Sequence, residues 1–208
     1  KLNQYFNVAE KIKRSQKRLN ISKAKLYRNR FSKKYNESRV LFQSDSTEYQ
    51  VLLDEMSEQF SFINDNNSWS SFFKNDSLEI NLNDLKKNII KIIRNRWSEG
   101  IINISFSEII SNQIAVNLND LEPSRLSQAE LYNDIQEAWT KAKLEITTTY
   151  SNDYDIQREL GYSLVVEFMK PNIIYDQETT ERRQISRQNS IPRNKGVILE
   201  SERIVDRN

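Results

Sequence analysis

Histidine and cysteine are both absent from this 208-residue chain, and their absence removes much of the usual catalytic chemistry. Without histidine there is no Ser-His-Asp triad, no imidazole base and no histidine-ligated metal. Without cysteine there is no thiolate nucleophile, disulfide or iron–sulfur cluster, and the redox compartment stays open. The three glycines are too few and too scattered for a phosphate-binding loop. No apolar run approaches the roughly 20 residues that span a bilayer.

Carboxylates are the main chemistry-bearing groups that remain. Five of them are concentrated in one region: Glu137, Glu145, Asp153, Asp155 and Glu159. Such groups are suited to an oxygen-ligated metal or an acid–base pair. Residues spaced like Asp155 and Glu159 are ordinarily a solvated helix face, however, and no calcium-loop spacing is present. We therefore predict no metal and no cofactor. Because the chain begins at Lys1 without a signal-peptide pattern, we expect it to be a segment of a longer protein.

Charge is divided unevenly along the chain. Residues 1–39 carry thirteen Lys and Arg against two acidic residues, a net charge of +11, whereas residues 40–208 carry a net charge of −9. Apolar residues recur at helical intervals within 1–39, so this part is predicted to be a basic amphipathic helical segment, followed by a domain at 40–208; a single domain over 1–208 is the alternative. Three interpretations stay open: a polyanion-binding or anionic-lipid-binding surface, a solvated helix face, or a helix received by the acidic remainder.

Capping and periodicity predict five helices. They are a helix after the capping box Asp45–Glu48, one from Asn83 to about Trp97 with Gly100 as its stop, one after the capping box Ser127–Glu130, one from Asp153 to near Met169, and one from Gln177 to Gln188.

Strand patterns are fewer. Residues 101–106 and 113–118 alternate in part, and residues 197–205 suggest a C-terminal β-hairpin. Residues 64–77 are predicted to be a loop, whose aromatic residues either anchor it to the core, which we favour, or form a contact surface; they are Trp69, Phe72 and Phe73. The predicted fold class is α+β, mainly helical, with a small sheet and the C-terminal hairpin.

The last 45 residues resemble a known family. A helix end, a Pro-Asn turn and a new helix at 164–180 are followed by a Lys-Gly-apolar stretch and a closing apolar pair. This phrase is similar to the membrane-proximal half of the extracytoplasmic domain of bacterial seven-transmembrane HD-domain phosphohydrolases, and 94–102 resembles an earlier family segment. The residues that carry the match are Phe168, Pro171, Asn172, Tyr175, Asp176, Thr180, Lys195, Gly196, Ile198, Ile204 and Val205. Ser190-Ile-Pro192 and Glu202 depart from the family pattern.

The resemblance implies a ligand-sensing domain that is not itself an enzyme. In this family the parent has an N-terminal membrane helix, the extracytoplasmic domain, seven membrane helices and a cytoplasmic HD domain that hydrolyses cyclic di-AMP with metal ions. That chemistry needs histidine, which this chain lacks. The implied location is therefore extracytoplasmic, at the cell membrane of the parent. The implied partners are an unknown extracytoplasmic ligand and the membrane, through the flanking helices of the parent, and a homodimer stays open as a further arrangement.

Two sets of candidate functional residues follow. The ligand or signalling motif comprises Lys170, Pro171, Asn172, Tyr175, Asp176, Thr180 and Gly196, each of which also has a purely structural explanation in a helix–turn–helix corner. A pocket, if present, is expected near this motif and near Trp97, Trp139 and Tyr162. The residues expected to face the membrane are Lys11, Lys13, Arg14, Lys17 and Arg18. The alternative function is binding of nucleic acid or another anionic surface by residues 1–39; our prediction is that nucleic acid is not a partner.

Overall fold

The computed structural model describes residues 1–64, 67–74, 80–117, 125–150 and 155–190. Within these ranges the helices are α1 (Leu2–Arg28), α2 (Tyr35–Gln59), α3 (Asn67–Lys74), α4 (Leu82–Glu99), α5 (Ile135–Thr149), α6 (Asp155–Phe168) and α7 (Gln177–Ser190). The strands are β1 (Ile101–Ile102), β2 (Gln113–Val116), β3 (Arg125–Gln128) and β4 (Asn133–Asp134). The predicted class, α+β and mainly helical, is confirmed.

The basic N-terminal segment forms a helical hairpin rather than one long helix. Helix α1 ends at Arg28, and α2 begins at Tyr35, so the predicted boundary at residue 39 falls inside α2. Only the first half of α1 enters the core, through buried residues that include Tyr5, Phe6 and Ile12. Phe31, which continued the apolar pattern in the sequence, is 95% exposed. The apolar pattern did not predict this exposure, because burial also needs a covering element, and among the described residues none covers the connection between the two helices.

The core lies between the base of this hairpin and helices α3 to α6. Its largest fully buried side chains include Trp69 and Phe72 of α3 and Ile89 and Ile92 of α4. The segment predicted as a loop at 64–77 therefore contains a helix, and the prediction that its aromatic residues anchor it to the core is confirmed. The sequence did not predict α3, because the helix is only eight residues long and its aromatic residues stand among polar residues that are typical of a loop.

Two small sheets complete the described fold. Strands β1 and β4 pair in parallel, and an isolated bridge joins Ile102 to Ile173. Strands β2 and β3 pair antiparallel, with Gln113 opposite Gln128. The prediction of a strand at 113–118 is confirmed over 113–116, whereas the strand predicted at 101–106 is only two residues long. The C-terminal hairpin predicted at 197–205 lies outside the described residues.

Three predicted helix starts are wrong. Asp45 lies inside α2, ten residues after its start, and Ser127 belongs to β3. Helix α5 is instead capped by Asp134, whose side chain accepts from the Glu137 amide at 2.9 Å. Helix α4 is capped by Asn81 rather than Asn83. Asp153 lies outside the described residues. Pairing of strands overrode the capping pattern at Ser127, and Asn81 has the same capping ability as its neighbour Asn83. At Asp45 the helix already runs from Tyr35, and its N-cap residue Lys34 makes no side-chain capping bond.

Contacts divide the chain into two compact units, 1–173 and 174–208. Of the described elements, the first unit contains α1 to α6, β1 to β4 and the residues of the hydrophobic core. Of the second, residues 174–190 are described, and α7 in it has no buried residue. Contacts within α7 include an ion pair of 3.5 Å between Glu178 and Arg182.

Candidate functional site

Asn172 lies four residues after the end of α6. It connects the segment that leaves α6 to the corner between α4 and β1. Its side-chain Oδ1 accepts a hydrogen bond from the Ile101 amide at 2.7 Å, and its Nδ2 donates to the Trp97 carbonyl at 2.9 Å. Its own amide and that of Ile173 donate to the Ile101 carbonyl at 3.0 and 2.9 Å. The Asn103 amide donates to the Ile173 carbonyl at 3.0 Å. We call residues 170–173, with these partners, the exit joint.

Trp97 and Lys170 add a further bond to the exit joint. The Trp97 indole Nε1 donates to the Lys170 carbonyl at 2.9 Å, although the Trp97 side chain is partly exposed. Lys170 thus contributes its backbone, and its side chain is exposed. Pro171 lies between Lys170 and Asn172, at a position where the chain needs no amide donor, which proline lacks. Met169, just before the joint, is fully buried and fixes the end of α6 in the core.

Gly100 allows the side chains of Tyr132 and Ile173 to lie close to the backbone at this joint. Its φ of +85° is a conformation that residues with a side chain rarely adopt. A Cβ atom at Gly100 would lie 2.6 Å from Cδ1 of Tyr132 and 2.8 Å from Cδ1 of Ile173. The predicted role of Gly100 as the stop of α4 is confirmed, since its amide donates to the Trp97 carbonyl. The sequence alone did not reveal that Ile173 packs on this glycine.

A polar network supports the joint from the side of α5. Arg96 of α4 forms ion pairs with Glu99 at 3.0 Å and with Glu145 of α5 at 3.3 Å. Asn133, which is almost completely buried, donates to Glu99 at 3.1 Å and accepts from the Lys141 ammonium. The network therefore connects α4, β4 and α5 through hydrogen bonds and ion pairs that include Glu99, the residue before Gly100. Sequence reasoning missed it because its members are far apart in the chain and have no common motif.

The rest of the predicted motif lies in the second unit. Asp176 caps α7: its Oδ1 accepts from the Thr179 amide at 2.9 Å, and Thr180 Oγ1 donates to its carbonyl at 2.7 Å. The hydrogen bond from the Thr179 backbone lowers the pKa of the Asp176 carboxyl. These contacts are the structural jobs that the sequence suggested for Asp176 and Thr180. Tyr175 is partly exposed, and Gly196 lies outside the described residues.

The residues expected around a pocket are only partly together. Trp97, Lys170 and Asn172 meet in the exit joint. Tyr162 instead receives the Lys143 ammonium over its ring, 5.4 Å from the centroid. Trp139 packs partly buried against the core. A ligand pocket near the joint stays a prediction.

The five cations expected to face the membrane differ in their surroundings. Lys13 turns inward: its Nζ donates to the Phe72 carbonyl at 2.6 Å and lies 4.2 Å from the centre of the Phe72 ring. Arg14 pairs with Glu10 at 3.1 Å, and Arg18 pairs with Glu48 of α2. Lys11 and Lys17 are exposed on α1. The Arg18–Glu48 pair supports the interpretation that part of the charge asymmetry is satisfied inside the hairpin.

The carboxylates considered for a metal site do not converge. Four of them have separate partners: Glu137 with Lys141, Glu145 with Arg96, Asp155 with Arg158, and Glu159 with Ser68. Asp153 lies outside the described residues. Over the ranges that the structure describes, no three acidic side chains form a group that could hold a metal ion.

Comparison with known proteins places the chain in a family. All of residues 1–208 match the family model described as 7TM-HD extracellular. No curated protein and no solved structure matches the chain. Within the described residues, none of the helices has the length and apolarity to cross a membrane. The resemblance identified from residues 164–205 is thereby confirmed, and the chain belongs to the extracellular-domain family of the seven-transmembrane HD proteins, in which it is a sensory region separate from the catalytic HD domain.

Proposed function

We propose that this chain is the input domain of a membrane-bound cyclic-dinucleotide phosphodiesterase. An extracellular ligand changes the balance between two arrangements of the domain, and the exit joint passes that change to the segment that follows. The HD domain of the parent then hydrolyses its substrate, cyclic di-AMP, at a different rate. The observation that carries the proposal is the pair of hydrogen bonds by which Asn172 connects the end of α6 to the corner between α4 and β1.

The energies at the exit joint suit a switch. A ligand transmits nothing unless it binds one arrangement better than the other, and moving an equilibrium from 1:99 to 99:1 takes about 5.5 kcal/mol. Six hydrogen bonds hold residues 170–173 against Trp97, Ile101 and Asn103. Each such bond contributes roughly 0.5–1.5 kcal/mol net. Making or breaking the joint therefore involves free energies of the size that a two-state input domain needs.

The joint also lies at the point where the first compact unit ends. Residue 173 pairs with Ile102 in the small sheet, and residue 174 begins the second unit. The covalent chain therefore passes directly from the exit joint into the second unit. The proposal assigns Lys170, Pro171 and Asn172 to this coupling step and leaves the ligand to be found.

Asn172→Ala in the full-length parent tests the proposal. It removes the acceptor for the Ile101 amide and the donor for the Trp97 carbonyl, so we expect the basal rate of cyclic di-AMP hydrolysis to change by roughly two- to ten-fold. The KM of the HD domain should stay constant, because that domain is untouched. The assay uses the parent in proteoliposomes, with hydrolysis followed by chromatography of the nucleotide product.

Two matched variants separate coupling from general damage. Asn7→Ala changes an exposed asparagine on α1 and is expected to leave the rate unchanged. Asn172→Asp keeps the acceptor for Ile101 but loses the donor to Trp97, and we expect an intermediate effect. A rate for Asn172→Ala equal to that of the wild type, at equal membrane insertion, would contradict a coupling role for the joint.

The membrane-facing role of Lys11, Arg14, Lys17 and Arg18 belongs to the same proposal. Arg14 and Arg18 already have acidic partners within the hairpin, so Lys11 and Lys17 are the stronger candidates for contact with lipid headgroups. The partners that the proposal requires are an extracellular ligand and the membrane helices of the parent.

A further inference from the structure

The tip of the helical hairpin, residues 23–41, lies outside the hydrophobic core. Within the described residues, the core members contributed by this hairpin fall in 2–12 and 49–60. Three aromatic side chains of the tip are exposed instead: Tyr27 is 66%, Phe31 95% and Tyr35 37% exposed. Val40 and Leu41 are exposed beside them and line a shallow open depression on α2. Large apolar side chains that are exposed together within one short stretch, rather than singly, indicate an interaction site.

Cations surround this apolar surface. Residues 23–39 contain seven Lys and Arg and one acidic residue, Glu37, so the net charge of this stretch is +6. All seven are exposed, and among the residues that the structure describes none of them forms an ion pair. They are Lys23, Lys25, Arg28, Arg30, Lys33, Lys34 and Arg39. The tip therefore combines uncompensated positive charge with exposed rings.

Hydrogen bonds between small polar residues close the turn at the tip. Asn29 Nδ2 donates to Ser38 Oγ at 2.8 Å, and Ser38 Oγ donates to the Lys34 carbonyl at 3.0 Å. The Ser32 amide donates to the Asn29 carbonyl at 2.9 Å. Small polar residues thus close the turn, while Phe31 at its apex contacts the Arg30 guanidinium at 5.5 Å from the ring centre. The apex ring is available to a partner.

We propose that the hairpin tip is a docking site for an anionic phospholipid bilayer. Apolar and aromatic side chains set among Lys and Arg are the composition of surfaces that bury their rings at the headgroup boundary and place cations at the phosphates. The family places this domain on the outer side of a membrane protein, so a bilayer lies next to it. A second copy is disfavoured as the occupant, because two tips would bring +6 against +6. A soluble polyanion without aromatic bases would satisfy the cations but leave Phe31 in water. This site extends the membrane contact proposed above for Lys11 and Lys17 to a different part of the hairpin, and it does not depend on the ligand response.

Vesicle flotation with the 208-residue chain tests the site. We expect binding to vesicles containing about one-third phosphatidylglycerol in phosphatidylcholine, weak binding to phosphatidylcholine alone, and loss of binding as salt is raised. Phe31→Ser should weaken binding about ten-fold, since a buried phenyl ring is lost, and Phe31→Trp should restore it. Lys33→Glu with Lys34→Glu should weaken binding by about a hundred-fold.

Matched variants outside the tip serve as controls. Ile110→Ser removes an equally exposed apolar side chain, and Lys87→Glu with Lys91→Glu makes the same charge change on α4. Both should bind as the wild type does. Equal binding to neutral and anionic vesicles would overturn the proposal, as would binding that is lost in the charge variant yet unaffected by Phe31→Ser, which indicates a polyanion site. Oligothymidylate that binds as tightly as the vesicles, with the same dependence on Phe31, would identify a nucleic-acid site instead and also overturn it.

Discussion

The two ends of the α1–α2 hairpin contain the same kinds of side chain in opposite environments. At the base, the Tyr5 ring is surrounded by Phe6, Phe60 and Trp69, with ring centres 5.1–5.6 Å away in edge-to-face arrangements. At the tip, Tyr27, Phe31 and Tyr35 are exposed. Residue type therefore does not determine burial along this hairpin. What differs is that α3, the end of α6 and the turn at 61–63 supply apolar faces to the base.

Lysine shows the same contrast. At the base, Lys13 packs against α3, because its ammonium donates a hydrogen bond to the Phe72 carbonyl and lies over the Phe72 ring. At the tip, Lys33 and Lys34 are exposed with no acidic partner in the described part of the chain. A cation can be structural where a neighbouring element offers acceptors and a ring, and is left for an external partner where none does. The base is thus expected to determine stability and the tip to determine binding.

Trp69→Ala is expected to produce the largest effect. Trp69 is fully buried between Tyr5, Phe72 and Phe73, so its truncation should lower the free energy of unfolding by about 3–5 kcal/mol. The measurement is urea unfolding followed by circular dichroism. Tyr27→Ala, at the tip, is the control and should change the free energy by less than about 0.5 kcal/mol. A loss below about 1 kcal/mol in Trp69→Ala would mean that the base is not the stabilising end.

The sequence predicted features that depend on local chemistry. The stop at Gly100, the end of α6 before Pro171 and the anchoring by Trp69 follow from backbone freedom, steric exclusion and hydrophobicity. The break between α1 and α2 was missed, because residues 29–34 contain neither glycine nor proline, and Asn29 and Ser32 are weak turn signals.

In the candidate site, too, the sequence predicted what depends on local chemistry and missed what depends on tertiary contacts. Asn172 was identified from its motif, but its partners Trp97 and Ile101 lie 75 and 71 residues away and are brought there by the packing of α4 against α6. The capping box at Ser127 failed because β2 offered that segment a strand partner. Tertiary pairing decides such cases, and a single sequence contains no direct record of it.

Tyr5→Phe sharpens the comparison through pH. Burial raises the pKa of the Tyr5 hydroxyl well above its ordinary value of about 10. Above that pH the unfolded chain ionises at this position while the folded chain keeps its proton, so the unfolded state binds fewer protons and stability falls. No protein atom in the described residues hydrogen-bonds to this hydroxyl. At pH 7 the variant should therefore lie within about 1 kcal/mol of the wild type.

The difference should appear in alkaline solution. From about pH 10 upward the wild type should lose as much as about 1.4 kcal/mol per pH unit that Tyr5→Phe does not lose, until the pKa of folded Tyr5 is reached. Urea unfolding at a series of pH values measures it. Tyr150→Phe is the control, because burial also raises the pKa of Tyr150. This variant keeps Tyr5, so its free energy of unfolding should still fall by the part of the alkaline loss that is due to Tyr5. Parallel curves for Tyr5→Phe and the wild type would show that Tyr5 is not shielded from water.

Phe31→Ser is expected to have the smallest effect on stability, and it is the direct test of the tip. The ring is almost fully exposed, and the turn is closed by Asn29, Ser32 and Ser38 without it, so the free energy of unfolding should change by no more than about 0.5 kcal/mol. Asn29→Ala, which removes the bond to Ser38, should cost about 1 kcal/mol. If Phe31→Ser instead costs more than Asn29→Ala, the ring stabilises the hairpin, and weaker vesicle binding by that variant would reflect a disturbed turn. If the cost is near zero, the same loss of binding measures insertion of the ring alone.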